Sequence, residues 1–119
     1  MTTILIIDDD AELREIVRLK LEVDNYQVLD TESGESGVEI ALEHKPDIIL
    51  MDILMPGISG HEAIESLTKQ GYGGMILALT NDKDFAKAKE VGAYDFLAKP
   101  LTPFFEKRVA SLWAKFNEE

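Results

Sequence analysis

The sequence predicts an α/β fold in which five parallel strands alternate with five helices, wound so that helices cover both faces of one sheet. Three observations predict it. Strand-like and helix-like patterns alternate five times with short connections between them. The strand patterns at Thr3 to Ile7, Asp47 to Met51 and Met75 to Leu79 carry uninterrupted apolar runs, as strands buried on both faces do. Four strand patterns then run directly into a carboxylate, a hydroxyl or an ammonium, which gathers polar chemistry at one edge of the sheet.

The first strand, Thr3 to Ile7, stops at Asp8-Asp9-Asp10. The helix after it spaces Leu13, Ile16, Val17 and Leu21 helically, with Glu12, Arg14, Glu15, Arg18 and Glu22 on its other faces. Asp10 reads as the N-cap of that helix rather than as a third acidic ligand. Tyr26 to Asp30 is a shorter, more polar strand suited to a sheet edge. Gly34 to Lys45 is the second helix, with Val38, Ala41 and Leu42 in phase, a cationic end and Pro46 as a stop. The third strand closes at Asp52. A carboxylate after Ile, Leu and Met is expensive to bury, so Asp52 is expected at an exposed strand end.

Ser59-Gly60-His61-Glu62 reads as a capping box opening the third helix. The fourth strand runs into Thr80, after which Asp82 or Asp84 is expected to cap a short fourth helix through Ala88. Asp95 to Ala98 is the fifth strand and leads into Lys99-Pro100. Thr102-Pro103 suggests an N-cap and an N1 proline for the last helix, whose buried stripe is Phe105, Val109, Leu112 and Phe116. Trp113 beside that stripe reads as partial core. Phe104 points off it and is the candidate for an exposed contact.

The chain reads as one domain over residues 1–119, without internal repeat, low-complexity segment or linker. Its net charge of -11 offers no basic stripe to phosphates and argues against direct nucleic-acid binding. It has no cysteine, which excludes disulfides and thiolate metal sites. Three aspartates by residue 10 exclude a secretory signal, and no apolar run approaches the roughly 20 residues needed to cross a bilayer. A soluble cytoplasmic domain is expected. His44 and His61 have polar neighbours on helical segments and read as solvated surface rather than as phosphohistidine or metal ligand. Gly71-Tyr72-Gly73-Gly74 precedes a strand and reads as a turn rather than a phosphate loop.

In open parallel sheets, ligands bind beyond the carboxyl ends of the strands. There this chain places Asp8 and Asp9, Asp52, Thr80 and Lys99. Two unit charges ~4 Å apart repel by about 4 kcal/mol at an effective dielectric near 20. Three clustered aspartates therefore need Lys99, a hard divalent cation or raised pKa values to offset one another. With carboxylate donors only, Mg²⁺ is the natural cation. A carboxylate beside such an ion, facing a hydroxyl and a lysine, is equipped to become an acyl phosphate.

These segments resemble the receiver domains of two-component response regulators. The likeness spans essentially the whole chain and rests on Ile6-Ile7-Asp8-Asp9-Asp10, on Asp47-Ile48-Ile49-Leu50-Met51-Asp52-Ile53-Leu54-Met55-Pro56-Gly57, on Ala78-Leu79-Thr80 and on Phe96-Leu97-Ala98-Lys99-Pro100. It implies a flavodoxin-like doubly wound sheet of strand order 2-1-3-4-5. It also implies Asp52 as phosphoacceptor and Asp8, Asp9, Asp52 and the backbone carbonyl of Leu54 as Mg²⁺ ligands. Thr80 would hydrogen-bond the phosphoryl group, Lys99 would pair with it, and the Lys99-Pro100 bond would be cis.

The same resemblance implies a histidine kinase or histidine phosphotransfer protein as donor, and a downstream protein or a linked output domain in a longer parent as target. A monomer is expected. The switch pair would be Thr80 and Phe96, acting on the face of the fourth helix, fifth strand and fifth helix. Two departures stand out: Phe96 occupies a place where many members carry tyrosine, and the interval from Thr80 to Gly92 is shorter by roughly one helical turn. The fourth helix is therefore expected to be truncated or displaced. The competing reading is an enzyme, a Mg²⁺-dependent phosphatase with an aspartyl nucleophile. Such phosphatases place a general acid two residues after the nucleophile, and here that residue is Leu54.

Overall fold

The computed structural model describes the backbone of residues 1–119 and the side chains of all but residues 82–84. Its elements run β1 (Thr3–Ile7), α1 (Ala11–Val23), β2 (Gln27–Thr31), α2 (Gly34–His44), β3 (Ile48–Asp52), α3 (Gly60–Lys69), β4 (Met75–Thr80), α4 (Asp82–Val91), β5 (Asp95–Ala98) and α5 (Phe105–Asn117). All strand pairs are parallel and the order is β2-β1-β3-β4-β5. The chain therefore reverses direction across the sheet between β1 and β3, and there the carboxyl ends of the strands open a crevice.

Strand alternation sorts the core into two layers. Ile4, Ile6, Ile48, Leu50, Leu77 and Leu97 meet Val17 and Leu21 of α1 and Phe105, Val109 and Leu112 of α5. Leu5, Ile7, Ile49, Met51, Ile76 and Ala78 meet Ala41 of α2, Ala63, Ile64 and Leu67 of α3 and Ala88 of α4. β1, β3 and β4 are covered on both sides, which is why their sequences carry no polar interruption. β2 is an edge with only Val28 fully buried.

The helix boundaries follow local chemistry. Asp10 caps α1 by accepting from the Glu12 and Leu13 amides. Ser33 caps α2, and Lys45 ends it in the left-handed region at φ 48° before Pro46. The capping box of α3 is present in full: Ser59 Oγ accepts from the Glu62 amide, and the Glu62 carboxylate from the Ser59 amide.

Four expectations need correction. Asp52 does end its strand, but it is buried at 4% exposure, because Lys99 and the Leu54 amide replace the solvent it loses. Ile16, placed in the α1 stripe by spacing, is 54% exposed, since α5 and β1 cover only the Val17–Leu21 side. α5 does not start at Pro103. Its N-cap is Phe104, without a side-chain cap. Thr102 instead closes a turn through its carbonyl with the Phe105 amide, and Lys20 takes the Pro103 carbonyl at 2.7 Å. Nor is α4 truncated: it has 10 residues, as α3 does, and a single residue, Asn81, joins it to β4. The expected caps Asp82 and Asp84 have side chains outside the described residues.

Candidate functional site

Asp8 leaves β1 with a side chain fully buried, and its two carboxylate oxygens are held separately. One accepts from the Asp10 amide at 2.9 Å, and the other lies 2.8 Å from Lys99 Nζ. Asp52, last residue of β3, brings its own oxygen to 3.2 Å from the same ammonium. Lys99 reaches this place because β5 pairs in register with β4, setting Ala98 beside Thr80, and because its amide donates to the Thr80 carbonyl at 3.1 Å. Asp9, beside Asp8, is exposed. One oxygen from each of Asp8, Asp9 and Asp52 fits within 4.8 Å of the others.

Burial and the adjacent Asp8 charge push the Asp52 carboxyl up to about 6, against the opposing pull of Lys99 and a hydrogen bond from the Leu54 backbone. For Lys99, burial works to lower its pKa, but the hydrogen bond to Asp8 and the charges of Asp52 and Asp8 prevail and raise it. The ammonium stays charged, and the Asp52 carboxyl resists ionisation more than an ordinary aspartate does.

Asp52, Leu54, Thr80, Asn81 and Lys99 line a cavity of about 130 Å³. Thr80 is 5% exposed at the end of β4, while the Leu54 side chain stands at the rim, 77% exposed. Gly60 fixes the backbone behind Asp52. A Cβ there would come within 2.2 Å of the Asp52 carbonyl oxygen and 2.6 Å of Ile53 Cα, so α3 can abut the Asp52–Ile53 backbone only through glycine. The Gly60 amide donates to the Ile53 carbonyl at 2.9 Å across that contact.

The donor set fits a hard divalent ion. Octahedral Mg²⁺–oxygen bonds of about 2.1 Å place ligand atoms roughly 3 to 4.2 Å apart, close enough to the cluster's 4.8 Å spread for small side-chain adjustments to close on an ion. Asp8, Asp9, Asp52, Thr80 and Lys99, chosen from strand ends, all come together at one end of the sheet. Asp10 stays on α1 as a cap. His44 is exposed and His61 half-buried, and neither belongs to the acidic cluster. Gly71 to Gly74 form a turn at the opposite end, where the Tyr72 hydroxyl donates to the Pro46 carbonyl at 2.7 Å. The Lys99-Pro100 bond is cis.

Sequence reasoning passed over Arg14, treated there as part of a solvated face. Its Nη1 donates to the Asp8 carbonyl at 2.8 Å. An arginine on the polar side of an amphipathic helix carries no local signal that it turns back towards the preceding strand.

Phe96 is half-buried on the α4 side of β5. Its ring centroid stands 4.7 Å from that of Phe85 of α4, and the Arg108 guanidinium lies 5.7 Å from the same Phe96 centroid. Arg108 also donates to the Phe96 carbonyl at 3.2 Å and to Asp95 at 3.1 Å, so it ties α5 to β5, while the Phe85–Phe96 contact ties β5 to α4.

The family model for the response regulator receiver domain matches residues 4–104. The chain is a response regulator receiver domain. Protein PilH of Pseudomonas aeruginosa is 40% identical over 106 residues, covering 85% of this chain and 88% of PilH. The phosphate regulon regulator PhoB of the same organism is 34% identical over 106 residues, but the match spans only 46% of PhoB. Among solved structures, chemotaxis response regulator CheY4 of Vibrio cholerae superposes with a TM-score of 0.88 at 26% identity, covering 95% of this chain and 98% of that one. The response regulator TrrA of Thermotoga maritima, in complex with Mg²⁺–BeF, superposes with a TM-score of 0.85 at 25% identity over 95% and 99% of the two chains. The receiver thus prevails over the phosphatase reading. Receiver domains are the phosphoacceptor modules of two-component signalling, and they work with histidine kinases and output domains. No helix among the described residues is long and apolar enough to cross a membrane.

Proposed function

We propose that Asp52 accepts a phosphoryl group from a phosphohistidine of a partner kinase or phosphotransfer protein, and that the acyl phosphate so formed resets the α4–β5–α5 face. The observation that carries this reading is the single ammonium bridging Asp8 and Asp52 at 2.8 and 3.2 Å, on the wall of a cavity it shares with Thr80. Asp8, Asp9, Asp52 and the backbone carbonyl of Leu54 are the proposed ligands of Mg²⁺. When bound, the ion supplies positive charge against the oxygens of the transferring group.

The protein's own groups do the rest. An Asp52 carboxylate oxygen attacks phosphorus as the donor's phosphorus–nitrogen bond breaks, and the imidazole departs with the electron pair and takes a proton. Lys99 can exchange its contact with Asp52 for one with a phosphoryl oxygen without leaving Asp8. The Thr80 hydroxyl lines the same cavity and donates to a second oxygen. Drawing Thr80 towards the phosphoryl group frees room behind it for Phe96 to turn inward. That turn breaks the contacts with Phe85 and Arg108 and so alters a face shared by three elements. With a net charge of -11 opposing self-association, the module is read as a monomer acting through partner contacts in the cytoplasm.

Incubation with acetyl phosphate and Mg²⁺ tests the core of this reading. One phosphoryl group should appear by intact mass, be released by hydroxylamine, and be absent from Asp52→Asn. Asp9→Ala should weaken Mg²⁺ binding. Undiminished, acid-stable labelling of Asp52→Asn would remove Asp52 from its role.

A further inference from the structure

Arg14 takes no part in the chemistry above, yet its side chain is only 17% exposed and is turned towards the site. Its Nε is buried without a hydrogen-bond partner, and the Asp30 carboxylate oxygen paired with it lies 3.8 Å away. Asp30 is already engaged by Arg18, which donates to it at 2.8 and 3.2 Å. The short contact of Arg14 is therefore the one to the Asp8 carbonyl, the oxygen of the peptide that joins Asp8 to Asp9. Desolvating a guanidinium for a 3.8 Å ion pair and one backbone carbonyl is costly, which singles out the carbonyl contact as the one that orients the side chain.

The acidic residues differ in how they are held. The Asp8 carboxylate is fixed by the Asp10 amide and by Lys99, and Asp52 by Lys99 and the Leu54 backbone. The Asp9 carboxylate makes no hydrogen bond among the described residues, and its side chain is exposed. Its position is set by the backbone from which it projects.

We propose that Arg14 is a positioning residue for the acidic cluster: it holds the Asp8–Asp9 peptide in the orientation that aims Asp9 at the shared cation. This rests on the metal assignment proposed above. It predicts a sign that simple electrostatics would reverse. A nearby cation acting only through charge weakens Mg²⁺ binding, so its removal tightens it; a clamp strengthens binding, so its removal loosens it.

The test is a Mg²⁺ titration followed by the amide shifts of residues 8–10, in wild type, Arg14→Met and Arg14→Gln, each with and without Asp9→Asn. Arg14→Met should weaken binding by about tenfold, the lower end of the loss seen when a group behind a metal ligand is removed. Arg14→Gln retains a donor without the charge and should lose less. In the Asp9→Asn background Arg14→Met should change affinity by less than about twofold, because the clamp then has nothing to aim. Tighter or unchanged binding in Arg14→Met overturns the proposal, as does a full loss that persists without Asp9. Should Arg14→Met fail to fold, Arg14→Gln decides by the same sign. A wild type whose residues 8–10 ignore Mg²⁺ would instead bring down the metal assignment itself.

Discussion

Replacing Asp52, the proposed phosphoacceptor, should make the metal-free protein more stable. Asp52 is 4% exposed, and burial beside Asp8 moves its carboxyl from 3.8 to about 6. A carboxyl whose pKa is raised on folding costs the native state stability once it is ionised. Its contribution is therefore neutral below the unfolded value of 3.8, becomes unfavourable as pH rises through the interval, and reaches its full cost above about 6. That interval, at 1.36 kcal/mol per pH unit, amounts to about 3 kcal/mol at pH 8. Asp52→Asn keeps the shape, leaves an oxygen for Lys99 and the Leu54 amide, and removes the charge. It should gain most of this energy at pH 8, roughly 10 °C in Tm for a domain of this size, and about half of it at pH 5. Urea unfolding in EDTA, read by Trp113 fluorescence and far-ultraviolet circular dichroism, measures both values. An Asn variant no more stable than wild type at pH 8, or a gap equal at pH 5 and pH 8, would refute the reasoning.

Three other perturbations reach different parts of the molecule. Leu54 is 77% exposed at the cavity rim and offers an attacking water no hydrogen bond, so Leu54→Asn should hasten loss of the phosphoryl group roughly fivefold, the kinetic worth of about 1 kcal/mol; an unchanged or slower decay in a single-turnover assay would contradict this. Phe85→Ala strips a 4.7 Å ring contact, worth about 1 kcal/mol, from the state in which Phe96 faces α4. Beryllofluoride in the presence of Mg²⁺ should then bind several-fold more tightly, and weaker binding would remove Phe85 from the switch. Gly60→Ala forces a Cβ to within 2.2 Å of the Asp52 carbonyl oxygen and should cost about 2 kcal/mol or more in urea unfolding, together with altered Asp52 amide shifts. Wild-type stability in that variant would show that α3 can slide away.

Most of the architecture was legible because period and punctuation agreed. The apolar runs at Ile4, Ile48 and Ile76 are too short for helices and suit doubly covered strands, and Ser59 with Glu62 forms a cap readable from four residues. The site was legible for a related reason: Asp8, Asp52, Thr80 and Lys99 each interrupt an apolar pattern at the same strand end. What escaped depended on contacts distant in sequence. Asp52 can be buried only because Lys99 arrives from β5. Thr102 and Pro103 look like a helix start until Lys20, on another helix, takes the Pro103 carbonyl. Ile16 fits a buried stripe by spacing alone, yet the layer above α1 is too narrow to cover it. Arg14 carries no mark at all, since its partner is a backbone oxygen.

The bridge from Lys99 to Asp8 joins residues 91 positions apart and has a consequence for the order in which the protein is made. A chain leaving the ribosome presents both aspartates long before the ammonium that tolerates their burial. β1 and β3 can pair as soon as residue 52 is free, but their carboxyl ends must stay hydrated until β5 docks. On the proposed role of Asp52, acceptor chemistry would thus wait until nearly all of the chain has been synthesised. An amino-terminal fragment ending before residue 99 would display the acidic residues without being able to close over them, and would not compete with the finished receiver for its donor.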